Sequence, residues 1–124
     1  MPEKLPFNFI LDYLDPLDIT VKSMFGMFAL YSGKRIVLML RQRNVNPERN
    51  GIWLAINKEH RENLVTEFPS LTPISGLHKK SQIDEWLLLP SSSDDFETLA
   101  ITICRLIAKG DQRIGHIPKS QRST

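Results

Sequence analysis

Apolar and polar residues divide the first part of the chain into one helical segment and three extended segments. Leu5, Phe9 and Tyr13 recur at every fourth position, and this spacing predicts an N-terminal helix over about residues 4–14. Three runs rich in β-branched and aromatic residues follow, and they predict strands at 19–25, 27–31 and 35–41. Because Gly33 lies between the second and third runs, we expect a tight hairpin turn there.

The second part of the chain predicts two more strands and two more helices. The strands fall at 52–57 and 83–90, the helices at about 58–67 and 94–109, and an irregular proline-rich connection at 69–82. Asn57 is a candidate cap for the first of these helices. The run Leu87-Leu88-Leu89 indicates a strand that is buried on both faces. The last helix has one apolar face, which comprises Phe96, Leu99, Ala100, Ile103 and Ile107.

This order of elements predicts the α+β class. Consecutive hairpins produce an antiparallel sheet of about five strands, and the N-terminal, middle and C-terminal helices then pack on one face of it. The 124 residues fit one domain, which we place at 1–110, followed by a basic C-terminal tail at 111–124. Ile114 and Ile117 are too apolar for a purely solvated tail, so the tail either returns to the sheet or serves as a peptide ligand for a partner.

Charge is unevenly distributed, although the net charge is only +2. Residues 34–61 contain seven Lys or Arg and two Glu, and residues 109–124 contain four Lys or Arg and one Asp. If the fold brings these segments to one face, that face would attract an anionic polymer. The alternative, which we favour, is an ordinary solvated surface. The candidate residues for binding a nucleic acid or a protein partner are Lys34, Arg35, Arg41, Arg43, His78, Lys79, Lys80, Arg113 and Lys119.

The sequence does not indicate a catalytic or cofactor site. A phosphate-binding P-loop requires G-x-x-x-x-G-K-[ST] before a helix, whereas Gly33-Lys34 is followed by Arg35 and a strand. The three histidines are far apart and lack the spacing of a metal site. Cys104 lies in mid-helix beside Ile103, so we expect it to pack in the core rather than act as a nucleophile. We therefore predict no catalytic residue, no metal and no cofactor.

The sequence also favours a cytoplasmic protein. No apolar run approaches the roughly 18 residues of a membrane span. The N-terminus is acidic and lacks the basic start and the cleavage site of a signal peptide. One cysteine excludes an internal disulfide and is typical of a reducing compartment.

Large apolar side chains in two regions have more than one interpretation. The first region is expected to lie in the core, and it comprises Met24, Phe25, Met27 and Phe28. Gly26 interrupts this run, which predicts a bulge or a close approach of another group to the backbone. Trp53 and Trp86 lie on predicted strands, where we favour packing. The alternative is that their rings are exposed and stack on nucleic-acid bases.

The opening strands resemble the N-terminal domain of TfoX-type competence regulators. This resemblance depends on Met24, Phe25, Gly26, Leu30, Tyr31, Gly33 and Lys34. The later part of the chain is similar to the MmcQ/YjbR family through Trp53, Asn57, Phe68, Pro73, His78, Lys79, Trp86 and Leu87. The sequence departs from the TfoX pattern at Met27, where a second glycine is usual, and it contains no separate C-terminal helical domain of that type.

Together the two resemblances cover about residues 5–110 and imply a compact module with a curved antiparallel sheet and flanking helices. They imply binding to a partner rather than chemistry. We therefore expect a non-catalytic cytoplasmic module that binds a macromolecule, either another protein or a second copy of itself. The alternative is a nucleic-acid-binding protein that uses the basic hairpin, loop and tail. A small enzyme would require a concave pocket with convergent polar groups.

Overall fold

The computed structural model describes residues 5–118, apart from the side chain of Ser81. The helices of this part are α1 (Leu11–Leu14), α2 (Arg61–Glu67), α3 (Lys80–Glu85) and α4 (Phe96–Ala108). The strands are β1 (Ile19–Met24), β2 (Met27–Ser32), β3 (Arg35–Arg41), β4 (Gly51–Ala55) and β5 (Trp86–Pro90). Short 3-10 turns at Asn8–Ile10, Pro47–Arg49 and Lys58–His60 precede α1, β4 and α2.

The strands form one antiparallel sheet in the order β1-β2-β3-β4-β5, so each strand pairs with its neighbours in sequence. A two-residue turn at Gly33-Lys34 joins β2 to β3. Gly33 has a φ of +62°, a left-handed conformation that glycine adopts without steric cost. The α+β class, the antiparallel sheet and the Gly33 hairpin are therefore confirmed.

Helices α1, α2 and α4 pack on one face of the sheet, which we call the covered face. The core there combines Leu38 and Leu54 from the strands with Leu64 from α2 and Ile103 from α4. Cys104 belongs to the same core, as the sequence predicts, and burial raises the pKa of its thiol to about 12. All three predicted helical regions therefore contribute to one face.

The chain after α4 returns to the sheet. Ile114 bridges to Ile56, and His116 exchanges two backbone hydrogen bonds with Ile36, at 2.9 and 3.0 Å. Of the two alternatives for the predicted tail, the return to the sheet is therefore the one observed for its first residues. The remainder of that tail, at 119–124, lies outside the described residues.

The N-terminal helix is shorter than predicted. Phe7 has a φ of +55°, a left-handed conformation that a right-handed helix cannot include. The chain therefore enters a 3-10 turn only at Asn8 and forms α1 from Leu11. The predicted fourfold spacing still describes packing, because the side chains that lie partly buried against the core include Leu5, Phe9 and Tyr13.

Two predictions for the second part of the chain are also wrong in detail. Strand β5 begins at Trp86 rather than at residue 83, because the preceding residues form α3, where Lys80 Nζ lies 3.2 Å from Asp84 Oδ2. Asn57 makes no side-chain capping hydrogen bond, and a 3-10 turn separates it from α2. Among residues 5–118, no helix is long and apolar enough to cross a membrane.

Candidate functional site

The opposite face of the sheet carries a second apolar cluster, and we call it the open face. Its buried members are Met27, Ala29, Tyr31, Ile36, Met39 and Ala55, and its partly buried members are Met24, Trp53 and Trp86. No residue of α1, α2 or α4 belongs to this cluster. The three helices that cover the other face therefore do not pack against these side chains.

The open face is concave and forms a groove with a volume of about 590 Å³. The side chains that the strands present on the open face form the floor of the groove. Its walls come from the turn after β1, from the end of the irregular connection with α3, and from the C-terminal segment; these wall residues are Phe25, Leu77, Gln82, Glu85, His116 and Pro118. A volume of this size lies within the roughly 300–1,000 Å³ of typical ligand sites.

Two tryptophans form one side of the groove floor. Trp53 on β4 and Trp86 on β5 make an edge-to-face pair with ring centroids 6.2 Å apart. The Trp53 indole Nε1 donates a hydrogen bond to the carbonyl oxygen of Arg49 at 3.0 Å, and this bond fixes the orientation of the ring. Both side chains are half-buried, so the favoured packing interpretation is only partly fulfilled: one side of each residue packs and the rest faces the groove.

The turn between β1 and β2 corrects two predictions. Phe25 was expected in the core but is 87% exposed, because both turn residues have a positive φ and the ring projects from the turn at the edge of the groove. Gly26 lies in this turn rather than in a bulge; the sheet's irregularity occurs between Leu30 and Tyr31. The predicted close approach is confirmed, since the Arg43 guanidinium lies 3.0 Å from where a Gly26 Cβ would be.

One end of the groove bears a pair of polar side chains. His116 is almost completely buried, and its Nδ1 lies 3.0 Å from the Ile56 carbonyl oxygen. A carbonyl oxygen only accepts, so Nδ1 is the donor in this bond. The other ring nitrogen, Nε2, lies 3.9 Å from Glu85 Oε1, and the Trp86 ring packs edge-on against the imidazole with centroids 5.4 Å apart. These contacts hold the His116 ring in place, and they make this end of the groove polar.

Three arginines gather at the opposite end of the groove, and we call Arg41, Arg43 and Arg49 the arginine corner. Arg41 is only 5% exposed, and its guanidinium donates to the carbonyl oxygens of Val45 and Asn46 and to Asn50 Oδ1 at 2.6–2.8 Å. All three acceptors are neutral. The loop between β3 and β4 is therefore organised around a buried positive charge that these contacts do not neutralise.

Asn50 connects Arg41 to the exposed part of the corner. Its Oδ1 also accepts from the Arg43 backbone N–H at 3.0 Å, and its Nδ2 donates to the Arg43 carbonyl at 2.8 Å. Burial lowers the pKa of Arg41, and the nearby charges of Arg43 and Arg49 lower it further. Arg43 and Arg49 are therefore close enough to Arg41 to disfavour its charged form.

The other predicted cations are dispersed. Arg35 lies at the far end of β3 from Arg41, about 20 Å away at 3.3 Å per residue, next to Lys34 in the hairpin turn. The Arg35 guanidinium is bound within the fold, where it donates to the carbonyl oxygens of Ile114 and Gly115 at 2.9 and 3.0 Å. The structure thus brings Arg41 and Arg43 together but separates them from the hairpin.

The remaining members of the predicted set also lie elsewhere. Arg113 is occupied by internal partners, since its guanidinium binds Asp111 at 2.8 Å and Glu67 at 2.6 Å. These bonds raise the pKa of Arg113 and lower that of Asp111. The exposed residues 78–80, His78, Lys79 and Lys80, occupy the connection before α3 and its first position. Lys119 lies outside the described residues.

The groove was not predicted from the sequence, although a signal for it was present. Residues 27–31 are apolar at every position, which means that both faces of β2 are apolar rather than one. The sequence predicts core positions for Met27 and Phe28 but not a second apolar cluster on the other face. Among residues 5–118, no group of three or more His, Cys, Asp or Glu could hold a metal ion.

No family model, curated protein or solved structure matches this chain. The resemblance to the TfoX-type and MmcQ/YjbR families therefore stays a prediction.

Proposed function

We propose that this protein is a non-catalytic binding module that holds an apolar segment of a partner protein in the groove on its open face. The observation that supports this proposal is the groove itself, an apolar concavity of about 590 Å³ on a sheet face to which α1, α2 and α4 contribute nothing. Apolar surface that is shaped and left accessible is characteristic of interaction sites.

The chemistry of the groove floor suits a peptide side chain. Met24, Met27 and Met39 provide flexible, polarisable thioethers that adapt to different apolar shapes. Trp53 and Trp86 provide large rigid surfaces, which are enriched among residues that dominate binding energy. Phe25, at the edge, is exposed in the free protein and gains the most from being covered.

The lining of the groove favours binding over catalysis. Among the described residues, the lining includes no Ser, Thr, Cys, Lys or Asp, which leaves Tyr31, Glu85 and His116 as its reactive side chains. His116 is the best candidate base, but its backbone is paired with Ile36 and its Nδ1 with Ile56, which gives it a structural role. The buried Cys104 belongs to the other side of the sheet.

The placement of the cations favours a protein partner over a nucleic acid. A polynucleotide needs a continuous basic track along its backbone, whereas the hairpin and the arginine corner lie at opposite ends of β3. A cytoplasmic location is part of the same proposal, and the single, buried cysteine supports it.

The proposal is tested by selecting peptides on the immobilised full chain from a phage library of random 12-residue peptides. We expect enriched peptides that contain aromatic or large aliphatic residues. The two tryptophans of the chain both line the groove, so titration of a synthesised peptide should change the intrinsic fluorescence with a saturable curve. Micromolar affinity is the expected range for one anchored segment.

Variants identify where the peptide binds. Phe25→Ser and Met39→Gln alter the edge and the floor of the groove and should weaken binding at least fivefold. The matched control is Val45→Ser, which changes an exposed apolar residue that does not line the groove. The proposal is wrong if no peptide is enriched, or if the groove variants bind as the control does. Concentration-dependent fluorescence of the protein alone would instead indicate self-association.

A further inference from the structure

The arginine corner adjoins the groove on two sides. Arg43 lies over Gly26, which follows the groove residue Phe25, and the Arg49 guanidinium contacts Gly76, which precedes the groove residue Leu77. The backbone of Arg49 is also joined to the groove, through the hydrogen bond from the Trp53 indole. A ligand that fills this end of the groove therefore lies beside two guanidinium groups.

These two guanidinium groups lack a negative partner within residues 5–118. Neither Arg43 nor Arg49 forms a salt bridge there, in contrast to Arg113, whose charge two carboxylates balance. The Nε atom of Arg49 is buried and has no hydrogen-bond partner in the same part of the chain. A buried donor without an acceptor costs stability, so the neighbours of Arg49 do not fully compensate its guanidinium.

The rest of the corner maintains this positive charge rather than relieving it. Arg41 is held by neutral acceptors, and the charge of Glu48 offsets only part of the effect that Arg43 and Arg49 have on it. Like charges that are held together by a structured loop favour the binding of an anion. Guanidinium groups in particular bind carboxylates through paired, directional hydrogen bonds.

We propose that the partner segment is acidic as well as apolar, with an apolar side chain in the groove and a following or preceding Asp or Glu bound by Arg43 and Arg49. This inference rests on the proposed function and specifies the partner's chemistry. A peptide can place an apolar side chain in the groove and, one or two residues away, a carboxylate at Arg43 and Arg49. The groove is too apolar, and the corner too confined, for a polynucleotide that has a charge at every nucleotide.

The test uses the most enriched peptide from the selection, and a version in which each Asp or Glu is replaced by Asn or Gln. We expect the selected peptides to be acidic and the neutral version to bind about tenfold more weakly, as expected for the loss of two exposed charge interactions. The affinity of the acidic peptide should also decrease as salt is added, because exposed charges are screened.

The double variant Arg43→Gln and Arg49→Gln should bind the acidic peptide about as weakly as the wild type binds the neutral one. Its matched control is the double variant Lys34→Gln and Lys109→Gln, which removes two exposed charges away from the groove and should bind like the wild type. Combining the neutral peptide with the arginine variant should add little, since both changes remove the same contacts.

The outcomes separate this inference from the proposed function. Enrichment of neutral or basic peptides that depend on Phe25 and Met39 would overturn the acidic specificity and leave the groove's role standing. Failure to enrich any peptide would overturn both. An oligonucleotide of twelve thymidines serves as the competing probe: if it binds more tightly than the acidic peptide and the arginine variant abolishes this, the partner is a nucleic acid and the inference is wrong.

Discussion

The two faces of the sheet place neighbouring residues of the same strands in two different apolar clusters. Leu38 and Met39 are neighbours on β3, yet Leu38 is sealed beneath the helices whereas Met39 lies in the floor of the groove. On the covered face, residues from α1, α2 and α4 complete the packing. On the open face, the apolar residues line the groove, and the exposed Phe25 and the arginine corner lie beside it.

This difference shows that apolar character alone does not identify a core. Both faces contain large apolar side chains, but among residues 5–118 the helices α1, α2 and α4 pack on the covered face alone. We infer that stability depends chiefly on the covered face and recognition on the open face. Substitutions can test this division, because changes on one face should leave the property of the other largely unchanged.

The largest expected effect comes from comparing neighbouring residues on the two faces. Leu38→Ala should lower the free energy of unfolding by about 3 kcal/mol, because it leaves a cavity that the packed helices cannot fill. Met39→Ala should cost less, about 2 kcal/mol, because this buried side chain borders the groove and solvent can enter the space that it leaves. Urea denaturation followed by circular dichroism measures both. Equal losses would mean that the open face is part of the core.

The burial of the covered face should also be detectable in the pH dependence of stability, through Cys104. Burial raises the pKa of its thiol from 9.0 to about 12, so above pH 9 the unfolded chain loses this proton while the folded chain keeps it. The free energy of unfolding should therefore decrease between pH 8 and pH 10, by roughly 1 kcal/mol more than in a Cys104→Ala variant. The same pH slope in both proteins would show that the thiol is accessible when folded.

A smaller effect should distinguish an internally paired arginine from an available one. Arg113→Ala removes bonds to Asp111 and Glu67 and should cost about 1 kcal/mol. Arg43→Ala should leave stability unchanged or improve it slightly, because it removes the repulsion between Arg43 and the buried Arg41. Thermal unfolding of both variants is sufficient, and a larger loss for Arg43 than for Arg113 would contradict the assignment of the corner to binding.

The smallest effect is expected for Phe25→Ser. The ring contributes little to the folded protein because it is largely exposed, so the free energy of unfolding should change by less than about 0.5 kcal/mol. The same substitution should weaken the peptide binding described above. A large loss of stability would place Phe25 in the core after all, and the comparison between the two faces would fail at that position.

Local patterns in the sequence predicted most of the architecture. The predicted strand at 52–57, the Gly33 turn and the apolar face of α4 each correspond to an observed element. The predictions failed where a single backbone conformation overrides the pattern. The left-handed Phe7 shortens the first helix, and α3 replaces the start of a predicted strand at a position where Ile83 is partly exposed.

The site was harder to predict than the fold, because it depends on which residues meet across the sheet. Arg43 and Arg49 both belong to one basic segment, yet only the folded loop places them on two sides of the groove. Conversely, Arg35 and Arg113 looked equally available in the sequence, and the structure engages both internally. Charge can be counted from a sequence, whereas its neutralisation by neighbours cannot.

The pairing of His116 with Ile36 can form only late in the synthesis of the chain. A meander joins strands that follow one another, so pairing can begin while later residues are still being added. His116 emerges from the ribosome roughly 80 residues after its partner strand, and it forms one wall of the groove. A nascent chain without His116 therefore presents a groove that lacks this wall, and we expect the proposed partner to bind it more weakly than the folded chain.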